Sequence, residues 1–317
     1  MSRRLLYRLI QALVVLLVLS FVIYGLIGLM PGDPIELMAA GSPHMTAEDV
    51  ARLKALYGVG TPLIPRYLHW LGSALGGDLG YSRLTGLSVL KTLGPPLGHT
   101  MALMFSSLIV AMLIALPLGV VAAMRHRRLA DHTLNLAAFA AISLPTFWVA
   151  LILIMIFSVS LAWLPTSGVE TPGGGGVVDR LRHLVLPVAA LALLSFGHYL
   201  RYMRAAMIAT LREDWIRTAR AKGASWMRVA THHALRNALV PVTTILALDF
   251  GSLFSGVVVT EAVFGYPGTG KLIFDAIMGN DYNLALAALM LATATTLIGS
   301  ILADLAYSLL DPRVGFR

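Results

Sequence analysis

Long apolar runs separated by shorter polar stretches dominate the pattern along this chain. The first run, residues 9–29, would form a helix about 32 Å long, and the hydrocarbon core of a bilayer is about 30 Å thick. Five further runs are also long enough to cross a bilayer, so the pattern predicts an all-α integral membrane protein with six transmembrane helices. The predicted spans are residues 9–29, 100–124, 134–163, 184–207, 238–260 and 284–309.

The amino terminus has the charge pattern of a secretory signal, because Arg3, Arg4 and Arg8 precede the first apolar run. Signal sequences have a shorter apolar region and end in small residues at the cleavage site. This run is longer and ends in the sequence MPGDP. We therefore predict that it is an uncleaved first span.

Composition agrees with a membrane protein and gives its orientation. The 317 residues are 57% hydrophobic and 13% charged, with a net charge of +8 and no cysteine, whereas soluble domains are about 25% charged. Two thirds of the 24 lysine and arginine residues lie in connections, chain ends or the adjoining end of a span on the side that holds both chain ends and the loop 208–237. The positive-inside rule places that side in the cytoplasm. Without cysteine, the chain has no disulfide framework and no thiolate metal site.

The segment after the first span, residues 31–98, is predicted to be external and too long for a bare loop. Thr46 and Asp49 are spaced as a capping pair before a short helix that ends near Gly58. Tyr67, Trp70 and Leu71 are expected to form an aromatic anchor in the membrane interface.

The most informative polar stretch is the sequence DWIRTARAKGASWMRVATHHALRN between the fourth and fifth spans. Asp214 is expected to cap a short helix over residues 215–222, and Gly223 to end it. A second helix is expected from about Ser225 to Asn237, leading into the fifth span. From the residues alone, two interpretations stay open: a knuckle that docks a soluble partner, or an amphipathic helix that lies on anionic lipid through its arginines.

Motifs for catalysis and metal binding are weak. The sequence GYPGTGK nearly matches a phosphate-binding loop, but Leu272 stands where Ser or Thr must bind magnesium, and no strand precedes it. His232 and His233 are adjacent, so they diverge on a helix, and we interpret them as solvated. No nucleophile elbow or catalytic cluster is present in the sequence. We expect no enzyme activity and no metal site.

Polar residues within the predicted spans suggest a translocation path. Asp249, Ser252, Gly256 and Thr260 share one face of the fifth predicted helix. A carboxylate in mid-span costs roughly 2.5–3.5 kcal/mol, so Asp249 is expected to face a cavity or a partner. Small and hydroxyl residues also join helices to one another, and this alternative stays open for the neutral members of the set.

The polar stretch also carries the residues of a known docking loop. The triplet Arg217-Thr218-Ala219 stands where that loop has small residues, and Gly223 stands at its glycine. Leu235-Arg236 falls where Leu-Pro is usual, so the proline is absent here. On these residues the stretch resembles the EAA loop of ABC importer permeases.

Other motifs extend the resemblance over almost the whole chain. They are MPGDP after the first span, GGDLGYS before the second, ISLPTFW in the third, TEAVFGYPGTGKL after the fifth and LADLAYSLLDPRVGF at the end. With RTARAKG and HALRNALVP, these strings are similar to the dipeptide, oligopeptide and nickel branch of binding-protein-dependent importers.

This resemblance implies one permease domain over residues 1–317, with the type I ABC importer fold, in the cell inner membrane with both termini cytoplasmic. The implied partners are a second permease in a heterodimer, two cytoplasmic ATPase subunits, an extracytoplasmic solute-binding protein and membrane lipid, with no nucleic acid. ATP and magnesium would bind the ATPase subunits, so no cofactor is expected on this chain. The expected cargo is a di- or oligopeptide, although similar permeases also carry glutathione, nickel chelates and sugars.

The resemblance also implies roles for individual residues. The residues assigned to coupling with the ATPase are Arg217, Thr218, Ala219, Arg220, Ala221, Lys222, Gly223, Arg228, Leu235 and Arg236. Glu261, Gly265, Pro267 and Gly268 are assigned to an external hairpin that dips toward the path. The alternative function is an ion-coupled secondary transporter or channel, for which Asp249 alone offers an intramembrane ion ligand.

Overall fold

The described chain is almost entirely helical. The computed structural model describes residues 2–29, 46–56 and 61–310, and their side chains except at 2–5, 53–56, 244, 247–256 and 303–310. One antiparallel bridge, between Tyr81 and Ser88, is the only β structure in these ranges. The all-α prediction is therefore confirmed. The helices are α1 (Ser2–Gly28), α2 (Ala47–Leu56), α3 (Leu63–Leu75), α4 (Val89–Met124), α5 (Leu129–Ser143), α6 (Thr146–Leu153), α7 (Val177–Thr210), α8 (Asp214–Ala221), α9 (Trp226–Arg228), α10 (Leu235–Val263), α11 (Thr269–Met278) and α12 (Tyr282–Leu310).

Several helices are long and apolar enough to cross a membrane. Among the described residues these are α1, α4, α7 and α12, and the bent pair α5 and α6 would make a fifth. Helix α10 covers the predicted fifth span, but the side chains of 247–256 lie outside the described set. The multi-pass character is thus supported, and the count of six remains a prediction.

The third predicted span is a bent pair of helices, and the break lies at Pro145, where a proline is expected to kink a helix. Helix α5 ends at Ser143, and α6 begins after Pro145 at an angle of 101° to it. Leu144 is extended, with φ −86° and ψ 131°, because a residue before proline is sterically excluded from helical geometry. Helix α6 then continues as a π-helical segment, Ile154–Ser160.

The capping pair predicted before α2 is confirmed. The Thr46 backbone N–H donates to Asp49 Oδ2 over 3.0 Å, and the Asp49 N–H donates to Thr46 Oγ1 over 3.2 Å. These reciprocal bonds satisfy donors that the first helical turn leaves free. Hydrogen bonds from Thr46 also hold the pKa of the Asp49 carboxyl below its ordinary value. The predicted end of this helix near Gly58 falls outside the described residues.

The backbone forms two compact units: residues 1–99 with 268–297, and residues 100–267 with 298–317. In the first unit, the start of α4 packs with α11 and the start of α12 around Val89, Leu93, Ile273 and Leu284. In the second unit, α7 is central and packs against α5, α6 and α10. Its core includes the buried Tyr199, Leu200, Met203 and Met207.

In the first unit, the turn before α4 is held onto the start of α12. Asp281, which is 2% exposed, accepts hydrogen bonds from Ser82 Oγ over 2.6 Å and from the Leu84 N–H over 3.0 Å. The same carboxylate caps α12 by accepting the Leu284 N–H over 3.2 Å. The sequence GGDLGYS therefore folds into a turn that fixes a helix terminus.

Glycines bring helix backbones together in the second unit. An added Cβ at Gly119 would lie 2.8 Å from Met203 Cβ, and one at Gly197 would lie 2.7 Å from Ile142 Cγ1 and even closer to the Ala138 carbonyl oxygen. Real Cβ atoms do not approach other atoms so closely. The packing of α7 on α5 therefore requires glycine at position 197.

Gly197→Ala is expected to destabilise the protein by about 1–3 kcal/mol, the usual cost of overpacking a tight contact. The matched control is Gly94→Ala in α4, where an added Cβ has nothing within 4 Å; alanine there should be neutral or slightly stabilising. Thermal unfolding of both variants in detergent checks this. Equal midpoints for the two would contradict the packing argument.

Candidate functional site

The polar stretch between α7 and α10 folds as two helical pieces that meet at Gly223; we call residues 214–237 the knuckle. Helix α8 begins at Asp214, with Glu213 as its N-cap, so the prediction of Asp214 as the cap is wrong by one residue. The Glu213 carbonyl accepts the Ile216 N–H over 3.1 Å, and the Asp214 carboxylate instead contacts Arg217 Nη1 at 3.2 Å.

Gly223 ends α8 as the sequence predicts. Its φ of +84° lies in the left-handed region that favours glycine. The Gly223 N–H donates to the Arg220 carbonyl over 2.9 Å, and the Ala224 N–H donates to the Ala219 carbonyl over 3.2 Å. This pair of bonds is a Schellman motif, which closes the end of α8.

The second piece continues without a break into the fifth predicted span. Ser225 caps α9 by accepting the Arg228 N–H over 3.3 Å. A π-helical segment, Val229–Ala234, then joins α9 to α10. The predicted second helix is confirmed, although its middle has π geometry. A π turn inside a helix inserts an extra residue and is frequent at functional sites.

One apolar side chain anchors the knuckle. Ile216 is 1% exposed and packs with Met203 and Met207 of α7 and with Val229 and Ala230 of the π segment. Burying an isoleucine side chain contributes about 1.5–3 kcal/mol. The inner face of the knuckle is therefore packed against α7.

The outer face of the knuckle is basic and aromatic. Trp215 and Trp226 are each 41% exposed, and Met227 is 64% exposed. The Arg220 guanidinium lies over the Trp226 ring, 5.0 Å from its centroid. Of the residues assigned to coupling, Ala219 and Leu235 are half-buried. The exposed members are Arg217, Thr218, Arg220, Ala221, Lys222, Gly223, Arg228 and Arg236.

A buried ionic cluster lies beside the helix that precedes the knuckle. Arg204 of α7 donates from Nε to Asp131 Oδ1 over 2.5 Å and from Nη2 to Asp131 Oδ2 over 2.8 Å. The Asp131 side chain is 2% exposed. It also accepts the Arg127 N–H over 2.9 Å and the Asn135 Nδ2 amide over 2.8 Å, and His126 Nδ1 lies 3.2 Å away. This cluster fixes the connection between α4 and α5 to α7.

The external hairpin predicted from the sequence is a tight turn at the end of α10. Gly265 has φ +56°, and the Tyr266 N–H donates to the Glu261 carbonyl over 2.8 Å. The buried Glu261 carboxylate accepts Thr100 Oγ1 over 2.6 Å. Burial raises the pKa of the Tyr266 phenol, and the Glu261 charge raises it further. Pro267 follows in the turn, and Gly268 is the N-cap of α11.

Comparison with known proteins identifies the family of this chain. The family described as binding-protein-dependent transport system inner membrane component matches residues 115–316, and the N-terminal component of such systems matches residues 1–94. The chain belongs to this family. The oligopeptide permease AppB of Bacillus subtilis (strain 168) is 36% identical over the full length of both chains. The dipeptide permease DppB of Escherichia coli (strain K12) is 32% identical over 93% of this chain and 94% of its own. The family prediction is thereby confirmed.

Two solved crystal forms of an ABC transporter are similar in fold to this chain. The inward-facing methionine ABC transporter MetNI aligns with a TM-score of 0.56 over 70% of the permease and 97% of the solved chain, at 16% identity. A second crystal form of the same transporter gives a TM-score of 0.53. The permease therefore has the fold of an ABC importer membrane subunit.

The residues assigned to the translocation path are only partly described. Thr260 is fully buried in the permease. Asp249, Ser252 and Gly256 lie on α10, but their side chains are outside the described set. Their place on the path stays a prediction.

Sequence reasoning missed the Asp131 cluster and the Asp281 cap. A signal for the first was present, because Asp131 is the one acidic residue beside Arg125, Arg127 and Arg128. Arg127 has a φ of +64°, a left-handed conformation that is uncommon outside glycine. Its backbone N–H points to the Asp131 carboxylate, and this bond compensates for the strained conformation.

Proposed function

We propose that this permease is a transmembrane subunit of an ATP-driven importer for di- or oligopeptides. Relatives that match at full or nearly full length are named as oligopeptide and dipeptide permeases, which supports this cargo class. The observation that carries the proposal is the knuckle, an exposed basic surface on a membrane protein whose one near-match to a nucleotide-binding loop, GYPGTGK, is followed by Leu272 in place of Ser or Thr. Energy for transport would therefore come from partner subunits.

The proposed arrangement has six spans with both termini in the cytoplasm. The charge distribution supports it, because most arginines and lysines then lie on the same side as the knuckle. The bent pair α5 and α6 would form the third span, and α10 the fifth. A second permease would complete the path, and an extracytoplasmic binding protein would deliver the peptide.

In the proposed transport mechanism, the knuckle inserts into a cleft of a cytoplasmic ATPase. Ala221 and Gly223 are exposed at the bend, so the partner could approach the backbone closely, while Arg217 and Arg220 would make polar contacts. ATP binding would close the ATPase pair and move the knuckle as a lever. Because Ile216 is packed against α7, movement of the knuckle would be transmitted to that helix. This subunit would perform no covalent chemistry, and ATP and magnesium would bind its partners.

The proposed path runs along the face of α10 that holds Asp249, Ser252, Gly256 and Thr260. The carboxylate of Asp249 would favour cationic groups of the cargo. The turn from Glu261 to Gly268 would lie at the external end of that path.

Co-purification tests the proposed docking. The tagged permease is co-expressed with its candidate ATPase subunits, isolated in mild detergent and quantified for bound ATPase. Arg220→Glu should lower ATPase recovery several-fold, because it reverses a charge on the exposed knuckle. Arg180→Glu is the matched control, since Arg180 is also exposed and lies in the predicted external loop. Purification without ATPase, or equal recovery for both variants, would contradict the proposal.

A further inference from the structure

Helix α3 lies along one face of α1 in the first unit. The Tyr67 side chain is buried, and its hydroxyl oxygen is 2.7 Å from Ser20 Oγ. Its ring contacts Phe21 and Tyr24, with centroids 5.1 and 5.6 Å apart. Ser20 and Phe21 precede Tyr24 by four and three residues, so the contacted positions lie on one face of α1. The Tyr67 side chain therefore packs against α1, and its expected location in the membrane interface stays a prediction.

The position of these contacts along α1 gives the depth of α3 in the membrane. The apolar span of α1 covers Leu6–Gly28. At a rise of about 1.5 Å per residue, Ser20 lies about 12 Å before the end of that span. Tyr67 therefore reaches well into the hydrocarbon region. Ser20 is 1% exposed, and its hydroxyl also donates to the Leu17 carbonyl over 2.7 Å, so its polar group is satisfied where water is absent.

The charge on α3 agrees with this depth. Arg66 extends its guanidinium toward the Tyr24 ring, 5.5 Å from the centroid, and its Nη2 would lie 3.0 Å from a Cβ at Gly28. Gly28 is the last residue of the apolar span. An arginine at that level can place its charge among the lipid headgroups while its aliphatic part stays in the apolar region.

A second apolar stripe on α3 is exposed within the part of the chain that the structure describes. Ile64, Leu68 and Leu75 are 61%, 59% and 82% exposed. Their spacing of four and seven residues puts them on one side of the helix. His69 and Ser73 lie on a different side, so α3 is polar on one face and apolar over the rest. The stripe resembles the exposed surface of α1, because both consist of large apolar side chains; Leu13 is an example on α1.

We propose that α3 is inserted into the leaflet at the carboxyl end of α1, with the stripe Ile64, Leu68 and Leu75 in contact with lipid acyl chains. Interfacial amphipathic helices bury their apolar face about 5–10 Å into the headgroup boundary, and the contact with Ser20, about 12 Å before the end of the span, places the tip of the Tyr67 side chain slightly deeper than that. The segment between α1 and α4 is thus partly a membrane element. This proposal depends on the family and the fold and not on the cargo.

Site-directed labelling tests it directly, because the chain has no native cysteine. Leu68→Cys is the test position, Leu13→Cys on α1 is the lipid-exposed control, and Glu48→Cys on α2 is the water-exposed control. Positions 48 and 68 both lie between α1 and α4, so both face the same side of the membrane in a proteoliposome. Each variant is reconstituted in the assembled transporter.

A membrane-impermeant maleimide should modify position 68 several-fold more slowly than position 48. Fluorophores at positions 68 and 13 should both be quenched by lipids that carry a nitroxide on the acyl chain, whereas a fluorophore at position 48 should not be. Reaction of position 68 at the rate of position 48 would place the stripe in water and overturn the proposal. Protection from both maleimide and nitroxide would place it against another protein chain and would equally overturn it. Leu75→Cys gives a second measurement on the same stripe if Leu68→Cys does not insert.

Discussion

Gly223→Asp is expected to leave the permease inserted in the membrane and to abolish uptake while ATP hydrolysis continues. Gly223 is exposed at the end of α8, and an added Cβ would have nothing within 4 Å. Its positive φ makes a side chain there cost about 1–2 kcal/mol, which does not unfold the protein. The larger effect is on the outer surface, where a carboxylate at the exposed bend would block close approach by a partner.

The measurement compares ATP hydrolysis and peptide uptake by the assembled transporter in the same proteoliposomes. Gly77→Asp is the matched control, because Gly77 has φ +85°, is exposed and also has open space around it. It carries the same conformational cost and the same new charge in the turn after α3. Gly223→Ala separates the effect of backbone strain from that of charge. Normal ATP-driven uptake by Gly223→Asp would reject docking at the knuckle.

The sequence predicts the knuckle well because its signals are local. A glycine with positive φ and a serine cap each act within a few residues, and Gly223 and Ser225 lie where the sequence places them. The start of α8 differs by one residue because Glu213 and Asp214 are adjacent acidic residues, and either can stand at a helix start. Here Asp214 contacts Arg217 and leaves the cap position to Glu213.

Hydrophobicity alone does not predict the break in the third span. The apolar run continues through residues 134–163, so hydropathy predicts one helix across the break. Pro145 interrupts this run and indicates a kink, but proline does not specify the size of a bend. The 101° angle depends on the extended conformation of Leu144, which the surrounding structure has to stabilise.

Contacts between distant parts of the chain are the features that a single sequence does not reveal. The pair Ser20–Tyr67 is 47 residues apart, the pair Asp131–Arg204 is 73 apart, and the pair Ser82–Asp281 is 199 apart. Each is a polar pair that the sequence places in a loop or on an apolar helix without indicating its partner. Tyr67 has the composition of an interface anchor, and only its contact with Ser20 shows that it faces α1.

The buried cluster around Asp131 gives the largest expected change in stability. Asp131→Ala should destabilise the permease by about 3 kcal/mol, because removal of one partner leaves the Arg204 guanidinium without a counter-charge in a largely buried position. It also leaves the Arg127 N–H and the Asn135 amide without their acceptor. Scaled from soluble domains, this corresponds to a decrease in Tm of roughly 6 °C or more.

The chain contains a matched exposed pair for comparison. Asp214 and Arg217 also form an Asp–Arg contact, at 3.2 Å, but their side chains are 93% and 77% exposed. Exposed pairs contribute about 0–1 kcal/mol, so Asp214→Ala should change Tm little. Thermal unfolding of both variants in the same detergent checks the difference. Equal decreases in Tm for Asp131→Ala and Asp214→Ala would contradict the argument that burial makes the Asp131–Arg204 pair more important for stability.

A second substitution separates charge from packing at the cluster. Arg204→Met in the Asp131→Ala background removes the uncompensated charge and keeps an apolar side chain of similar length, so it should restore a large part of the lost stability. A double variant as unstable as Asp131→Ala would instead assign the loss to the Arg127 and Asn135 hydrogen bonds. The first result would assign the loss of stability to the uncompensated charge of Arg204, on the helix that leads into the knuckle.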